Sequence, residues 1–156
     1  MIEHPTVLVL GAGASCPLGF PTGRELLEQI VSATDHPPSN SLGKLLLGCG
    51  FDGEKITDFG KTLSFSQQNS VDAFLEHRSE EYLAIGKTAI AGALSPYETM
   101  GSLTKNGEWY RYLFSHLKGS FNDFDKNQLA IITFNYDRSI EQFLYLAVRH
   151  SYGQED

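Results

Sequence analysis

A short apolar run that ends at a glycine-rich turn is the feature that most constrains the fold of this chain. Thr6–Leu10 is apolar after its first residue, partly β-branched, and stops abruptly at Gly11. Such a run is typical of a strand buried on both faces of a parallel sheet. Apolar residues at helical spacing begin after Gly23, Thr22 is placed to cap them, and the pattern stops before Pro37. The opening therefore predicts strand, glycine turn and helix, the first half of a βα unit.

A second strand is predicted at Leu129–Phe134, which is again apolar with little alternation. A last helix is predicted after it, because apolar residues recur at helical spacing between Ile140 and Val148. A doubly wound sheet usually has about five or six strands. Either further strands lie hidden in the middle of the chain, or the chain stops before its sheet is finished. We expect an α/β fold with a Rossmann-like parallel sheet and flanking helices, as one domain over 1–156 with a helical insertion at about 36–127.

The middle of the chain is predicted to be largely helical. A short apolar helix is expected at Leu42–Leu47, and a long one begins with Ser70 as its cap and ends before Pro96. A third helix is predicted at Gly107–Lys118. Residues 48–69 are rich in Gly, Ser, Asp and Gln with weak periodicity, so they stay unassigned, as a lid or an insertion.

Composition excludes several classes of function. The 12 basic and 19 acidic residues give a net charge of −7, which argues against nucleic-acid binding. The two cysteines, Cys16 and Cys49, form no C-x-x-C pair, so neither a disulfide scaffold nor a four-cysteine zinc site is expected. No stretch approaches the roughly 18 apolar residues of a membrane span, and the amino terminus lacks the features of a signal peptide. We therefore expect a cytoplasmic protein that binds neither membrane nor nucleic acid.

The glycine turn is predicted to bind an anionic ligand. Its residues are Gly11, Ala12, Gly13, Ala14 and Ser15. Small residues let backbone N–H groups approach a pyrophosphate, and a following helix presents its positive end. The strict dinucleotide fingerprint has glycine or alanine where this chain has Cys16, so a purely structural tight turn is the alternative. Asp35 has roughly the separation of a ribose-binding acid, but no predicted strand leads to it, and we interpret it as a solvated carboxylate.

Polar residues follow the second predicted strand. Asn135 and Asp137 lie directly after Phe134, at the carboxyl end of a strand, where open α/β sheets bind their ligands. An amide and a carboxylate need partners in such a place. For Asp137 alone, the alternative is that it caps the helix beginning near Ser139. Capping does not explain Asn135 together with the glycine turn.

Together, the two motifs resemble the paired signatures of sirtuins. They are more closely similar to the bacterial sirtuin-like NAD-hydrolase domains of anti-phage defence proteins, since Asn-Tyr-Asp-Arg at 135–138 is typical of that branch. Ser70–Glu76 also resembles the helix that lies between the motifs in this branch. The likeness spans nearly the whole chain, although only about a dozen residues carry it.

The resemblance implies NAD as ligand, no metal, and a role for each motif residue. The turn would hold the pyrophosphate through Ala12, Gly13 and Ser15. Asn135 would orient the nicotinamide ribose or the attacking water, and Asp137 would accept a hydrogen bond from the nicotinamide carboxamide. Nicotinamide is a cationic leaving group, so the site needs only to stabilise an oxocarbenium-like sugar and to activate water.

Two further residues follow from the same resemblance. Arg24 ends a stretch similar to the family's Gly-x-Pro-x-x-Arg loop and would reach a phosphate; the alternative is a solvated first-turn arginine. The family's base is a histidine at the end of a later strand, whereas His150 terminates a predicted helix, where a basic group complements the helix dipole. The expectation is therefore that the chain is the amino-terminal portion of a larger protein, with the base beyond residue 156, and that it is inactive alone.

The expected function is NAD binding in a hydrolase that releases nicotinamide and ADP-ribose. The alternative is a non-catalytic module that senses NAD or an ADP-ribose derivative. A deacetylase is disfavoured because its zinc module needs four cysteines, and a dehydrogenase does not need Asn135 with Asp137. A scaffold role for the apolar face of Trp109, Tyr112 and Leu113 is a further alternative to core packing. The resemblance implies a homo-oligomer or an additional carboxyl-terminal sensor domain.

Overall fold

The computed structural model describes residues 1–35, 40–117 and 119–153, except for the side chains of 104–106. The chain forms two compact units, Met1–Phe20 with Tyr97–Asp156, and Pro21–Pro96. The described part combines one parallel strand pair with a majority of helices, so the fold is α/β. A single domain with an insertion at about 36–127 stays a prediction. Among the helices of the described residues, none combines the length and the apolar character needed to cross a membrane.

The first unit contains the two predicted strands. Strands β1 (Thr6–Leu10) and β2 (Leu129–Thr133) pair in parallel, with Leu10 opposite Thr133 at their carboxyl ends. The prediction of strands was confirmed, but the prediction that both faces are buried was wrong. Every second residue is exposed, Val9 to 63%, because only one face packs against helices among the described residues.

The other described elements of the first unit are α-helices and 3-10 helices. Two 3-10 helices, Ala12–Ala14 and Cys16–Leu18, follow β1. Helices α5 (Met100–Asn106) and α6 (Glu108–His116), a 3-10 helix (Phe121–Lys126) and α7 (Ser139–Tyr152) complete the unit. The predicted end of α6 at Lys118 lies outside the described residues. Helix α7 ends at Gly153, whose φ of 63° is the left-handed conformation that favours glycine.

The second unit consists of helices in its described residues. These are α1 (Gly23–Asp35), α2 (Ser41–Gly48), α3 (Gly53–Phe65) and α4 (Val71–Leu94), and a 3-10 helix, Ser95–Tyr97, follows α4. The predicted caps were confirmed. Thr22 and Glu25 form a reciprocal capping box, and Ser70 Oγ accepts the Ala73 N–H. Helix α4 has non-helical backbone angles at Arg78, which marks a kink.

Helix α3 occupies the segment that the sequence left unassigned. Ile56, Phe59 and Leu63 follow helical spacing and are fully buried, but intervening glycines and polar residues weaken the pattern. Phe59 packs with Phe74 and Tyr82 of α4, whose ring centroids lie 6.1 and 5.7 Å, respectively, from that of Phe59. This aromatic cluster, together with aliphatic residues of α1 and α2, forms the core of the second unit.

Candidate functional site

The two predicted motifs leave the sheet side by side. Because β1 and β2 are parallel and in register, the residues after Leu10 and after Thr133 emerge at the same edge. The Phe134 N–H extends the pairing by donating to the Leu10 carbonyl at 3.0 Å. The glycine turn and the Asn135–Asp137 segment therefore meet at one edge of the strand pair.

Ser15 joins these two motifs through its hydroxyl group. Ser15 Oγ donates to Asp137 Oδ2 at 2.7 Å and accepts a hydrogen bond from Asn135 Nδ2 at 3.0 Å. Ser15 is 1% exposed and Asp137 is 8% exposed, so both contacts are shielded from water. Charge-assisted hydrogen bonds of this kind are among the stronger ones in proteins. The turn and the Asn135–Asp137 segment therefore form one hydrogen-bonded cluster.

Asp137 also connects this cluster to helix α7. Its Oδ1 accepts the Ser139 N–H at 3.1 Å, and Ser139 is the first residue of α7. Helix capping thus accounts for one carboxylate oxygen of Asp137, Oδ1, and the hydrogen bond from Ser15 accounts for the other, Oδ2. A buried carboxylate requires such partners. Each oxygen has a second lone pair, so a ligand donor would still find an acceptor here.

Asn135 presents an acceptor that lacks a partner. Its backbone N–H donates to Thr133 Oγ1 at 3.0 Å and its Nδ2 is bound to Ser15. Its Oδ1 is buried, and no residue in the described part of the chain donates to it. Buried polar atoms are nearly always satisfied by a protein group, a water or a ligand. Asn135 Oδ1 is therefore a buried acceptor whose partner is not among the described residues.

The glycines of the turn are not required by the conformation of the turn. Gly11 has a φ of −118°, and Gly13 is not among the positive-φ glycines. A Cβ added at either position would meet no described atom within 4 Å. The backbone of the turn is thus open to approach from outside the protein.

Trp109 and Tyr110 of α6 contact the turn, and the sequence did not predict these contacts. Trp109 Nε1 donates to the Ala14 carbonyl at 2.9 Å. Tyr110 is 1% exposed, and its phenol interacts with the hydroxyls of Ser15 and Ser139. Burial, and then the negative charge of Asp137, raises the pKa of Tyr110 to about 12 against the opposing effect of those two hydroxyls.

The apolar face predicted for α6 was partly wrong. Tyr112 is 70% exposed, whereas Tyr110 takes the buried place next to Leu113. Both tyrosines fit an apolar stripe at helical spacing, so the pattern alone does not separate them. A further signal in the sequence is the adjacent pair of amphipathic aromatic residues, Trp109 and Tyr110. Such residues bury their N–H or O–H group only where it has a hydrogen-bond partner.

The remaining candidates lie apart from the contacts of the cluster. Arg24 belongs to α1 in the second unit, is 79% exposed and pairs with Glu28 at 3.0 Å, so its phosphate contact stays a prediction. Asp35 is the exposed last residue of α1. Cys16 is half-buried, and its Sγ contacts the Ala12 carbonyl at 3.6 Å, as expected for a small residue packed in the turn.

Histidine does not contribute to the cluster. His4, His77, His116 and His150 are exposed, and His36 lies outside the described residues. His150 is in the last turn of α7, where its charge complements the helix dipole. Of the first unit's described histidines, none is among the hydrogen-bond partners of Ser15, Asn135 or Asp137.

A cavity of about 310 Å³ lies beside the cluster in the first unit. Buried Leu18, Phe20 and Leu103 contribute apolar surface to it. Arg138 and Gln142 add polar groups. Ser139 also lines this cavity, and its N–H is bound to Asp137. The volume is at the lower end of that of small-molecule sites.

Neither a metal site nor a similar protein adds to the description of the cluster. Over residues 1–35, 40–117 and 119–153, no group of three or more His, Cys, Asp or Glu side chains is placed to hold a metal ion. No family model matches the chain, and no curated protein or solved structure is significantly similar to it.

Proposed function

We propose that this chain binds NAD at the edge where the glycine turn meets Asn135, and that the site belongs to a sirtuin-like NAD hydrolase. The observation that carries the proposal is the hydrogen-bonded cluster in which Ser15 contacts both Asn135 and Asp137. Parallel strands that end at a glycine turn and at a polar segment fit the ligand edge of a Rossmann-like sheet. Hydrolysis would give nicotinamide and ADP-ribose.

The open backbone of the turn supports a role in binding the pyrophosphate. Glycine costs conformational entropy on folding, and neither positive φ nor close packing accounts for it at Gly11 and Gly13. A phosphate group needs close approach to backbone N–H groups, which a Cβ would obstruct. We therefore assign the pyrophosphate to the backbone of Gly11–Gly13. The Ser15 hydroxyl is already engaged with Asp137 and Asn135.

Asn135 supports a role beside the reacting sugar. Its buried, unpartnered Oδ1 would accept a hydrogen bond from a ribose hydroxyl or from the attacking water. An acceptor held in place by its neighbours can stabilise positive charge on the sugar without reorganising. Asp137 would hold Ser15 and the start of α7 in place, with spare lone pairs for a carboxamide donor.

The cavity beside Ser139 would take one ring of the dinucleotide. Phe20 and Tyr97 contribute aromatic surface to its lining, and their ring centroids are 5.7 Å apart. Arg138 and Gln142 provide hydrogen-bond donors in the same lining. Flat apolar walls with a few polar groups are typical of sites for planar ring systems.

A binding module without catalysis is the second candidate function. It is favoured by one observation: the polar contacts of the cluster come from Ser, Asn, Asp and Tyr, and no histidine among the first unit's described residues joins them. A group that activates water is required for hydrolysis. In this alternative, the chain would sense NAD or an ADP-ribose derivative. Roles in anti-phage defence, in the cytoplasm and in a homo-oligomer are proposals of the same resemblance.

Calorimetry with NAD and with ADP-ribose tests the proposal. We expect binding by the wild-type chain and a loss of roughly tenfold or more in affinity for Asn135→Ala, because the variant removes both the free acceptor and the contact to Ser15. Asn122→Ala, at an exposed position of the first unit, is the matched control and should bind as wild type. Nicotinamide release in the same samples would identify the hydrolase. If this chain only binds, the same assay on a longer protein that contains it separates the hydrolase from the binding module. Failure of the wild-type chain to bind either compound would contradict both.

A further inference from the structure

Two neighbouring residues of α6 contact two neighbouring residues of the glycine turn. Trp109 Nε1 donates to the Ala14 carbonyl at 2.9 Å. The buried Tyr110 side chain interacts with the hydroxyl of Ser15, which follows Ala14. Consecutive side chains of a helix point about 100° apart, so only a turn that crosses the helix at close range can receive both. The contacts therefore fix the turn relative to α6 at two successive residues.

The position of α6 is itself set by close packing. A Cβ at Gly107, which precedes α6, would lie 2.7 Å from the Leu103 carbonyl oxygen, so this close approach of the backbone requires glycine. The Tyr110 ring packs against Phe143 of α7, with centroids 5.2 Å apart. Tyr110 thus lies between the turn and α7, the same two elements that Asp137 connects.

These contacts constrain the backbone next to the peptide groups of Gly11–Gly13 that the ligand would meet. Because a peptide unit is planar, holding the Ala14 carbonyl also holds the Ser15 N–H, which donates to the Ala12 carbonyl at 3.1 Å. The backbone of the turn is thereby constrained before any ligand arrives. Preorganisation of this kind raises affinity by lowering the entropy lost on binding.

We propose that Trp109 and Tyr110 are positioning residues of the nucleotide site, which hold the glycine turn in the conformation that binds the ligand. This inference rests on the proposed function. Trp109 is the single tryptophan of the chain, so its fluorescence reports directly on the turn.

Conservative variants with a matched control test this inference. Tyr110→Phe removes one hydroxyl and Trp109→Phe removes one N–H, and both retain an aromatic ring. Tyr112→Phe removes the same hydroxyl from an exposed position of the same helix. Amide hydrogen exchange of the peptide that spans the turn is measured without ligand. ADP-ribose affinity is measured by calorimetry. Tryptophan emission is followed during the titration of the chains that retain Trp109.

We expect faster exchange at the turn and a roughly tenfold weaker affinity for ADP-ribose in Tyr110→Phe and Trp109→Phe, with wild-type behaviour in Tyr112→Phe. Wild-type Trp109 emission should change on binding, and the change should shrink in Tyr110→Phe. A merely structural role would alter the unfolding midpoint without altering the emission change. Unaltered exchange and affinity in both variants would overturn the inference and leave the proposed function standing. A wild-type chain that binds no ADP-ribose would overturn the proposed function and this role with it. The hydrogen-exchange rates are measured without ligand, so they test by themselves whether the contacts constrain the turn.

Discussion

In the helical unit, a Cβ at Gly60 would lie 2.1 Å from Thr34 Oγ1, whereas a Cβ at Gly13 in the turn would meet no described atom within 4 Å. Gly60 lies in α3, and Thr34 is a fully buried residue of α1. Glycine at position 60 is therefore explained by the crossing of these two helices. Glycine at position 13 has no such explanation within the chain, because its φ is not positive and its surroundings are open.

Under the proposed function, this difference separates residues that serve the fold from residues that would serve a ligand. In the second unit, a Cβ at Gly60 or at Gly86 would overlap a buried side chain, that of Thr34 or of Leu75. At the turn, Gly11, Ala12 and Gly13 are exposed, and Asn135 Oδ1, which has no partner among the described residues, belongs to the cluster that the turn forms through Ser15. Unexplained glycines beside an unpartnered acceptor are what a site for an anionic nucleotide requires.

The largest effect is expected for Gly60→Ala. The added Cβ overlaps Thr34, so helices α1 and α3 must separate, and the free energy of unfolding should fall by about 3 kcal/mol, the upper range for overpacking. Urea denaturation followed by circular dichroism measures the change. Gly48→Ala is the control, since its Cβ meets no described atom and alanine favours helix α2 by up to about 1 kcal/mol. A Gly60→Ala variant as stable as the wild type would remove the packing half of the comparison.

A smaller loss of stability is expected for Asp137→Ala. The variant leaves the Ser15 hydroxyl and the Ser139 N–H without their shared acceptor in a buried site, which should lower the free energy of unfolding by about 2 kcal/mol. Asp123→Ala is the matched control, because Asp123 also accepts from two groups, Ser120 and Lys126, but is solvent-exposed. Its effect on the free energy of unfolding should be clearly smaller, because solvent screens this ion pair. Equal losses of unfolding free energy in both variants would show that burial of the hydrogen-bonded cluster does not contribute to stability.

A pH-dependent effect is expected from Tyr110. Its pKa is about 12 in the folded chain and about 10 when unfolded, so the folded state binds more protons between these values. Stability should hold below pH 10 and decline as the pH rises toward 12. Tyr82 contributes with the same sign, since burial and a hydrogen bond to Asp58 also raise its pKa. The difference between wild type and Tyr110→Phe in urea titrations across this range isolates Tyr110, and a constant difference would contradict its burial beside Asp137.

Much of the framework follows from the sequence. The two apolar runs, the caps at Thr22 and Ser70 and the glycine turn are local signals, and the meeting of turn and Asn135 follows from the geometry of parallel strands. The sequence does not predict helix α3, because Gly60 and polar residues interrupt its apolar stripe. Tight packing is nevertheless the reason that position 60 is glycine.

Contacts between distant parts of the chain were not predictable. The choice of Tyr110 over Tyr112 for burial depends on where α6 meets the turn and α7, which no helical period encodes. The hydrogen bond from Trp109 to Ala14 joins residues 95 positions apart, without a sequence motif for it. Exposure of one sheet face likewise depends on which elements cover it, whereas an apolar run reports only that both faces could be buried.

The measurement that tests the central claim most directly is ADP-ribose calorimetry on Gly13→Ala, paired with its urea denaturation. Alanine fits the observed conformation and open surroundings, so the free energy of unfolding should rise slightly, by about 0.5 kcal/mol. The same methyl group would obstruct the pyrophosphate, so affinity should fall by roughly tenfold or more. Greater stability with weaker binding is the predicted result. Wild-type affinity in Gly13→Ala would contradict the claim that the glycine turn of this chain is kept open for a nucleotide.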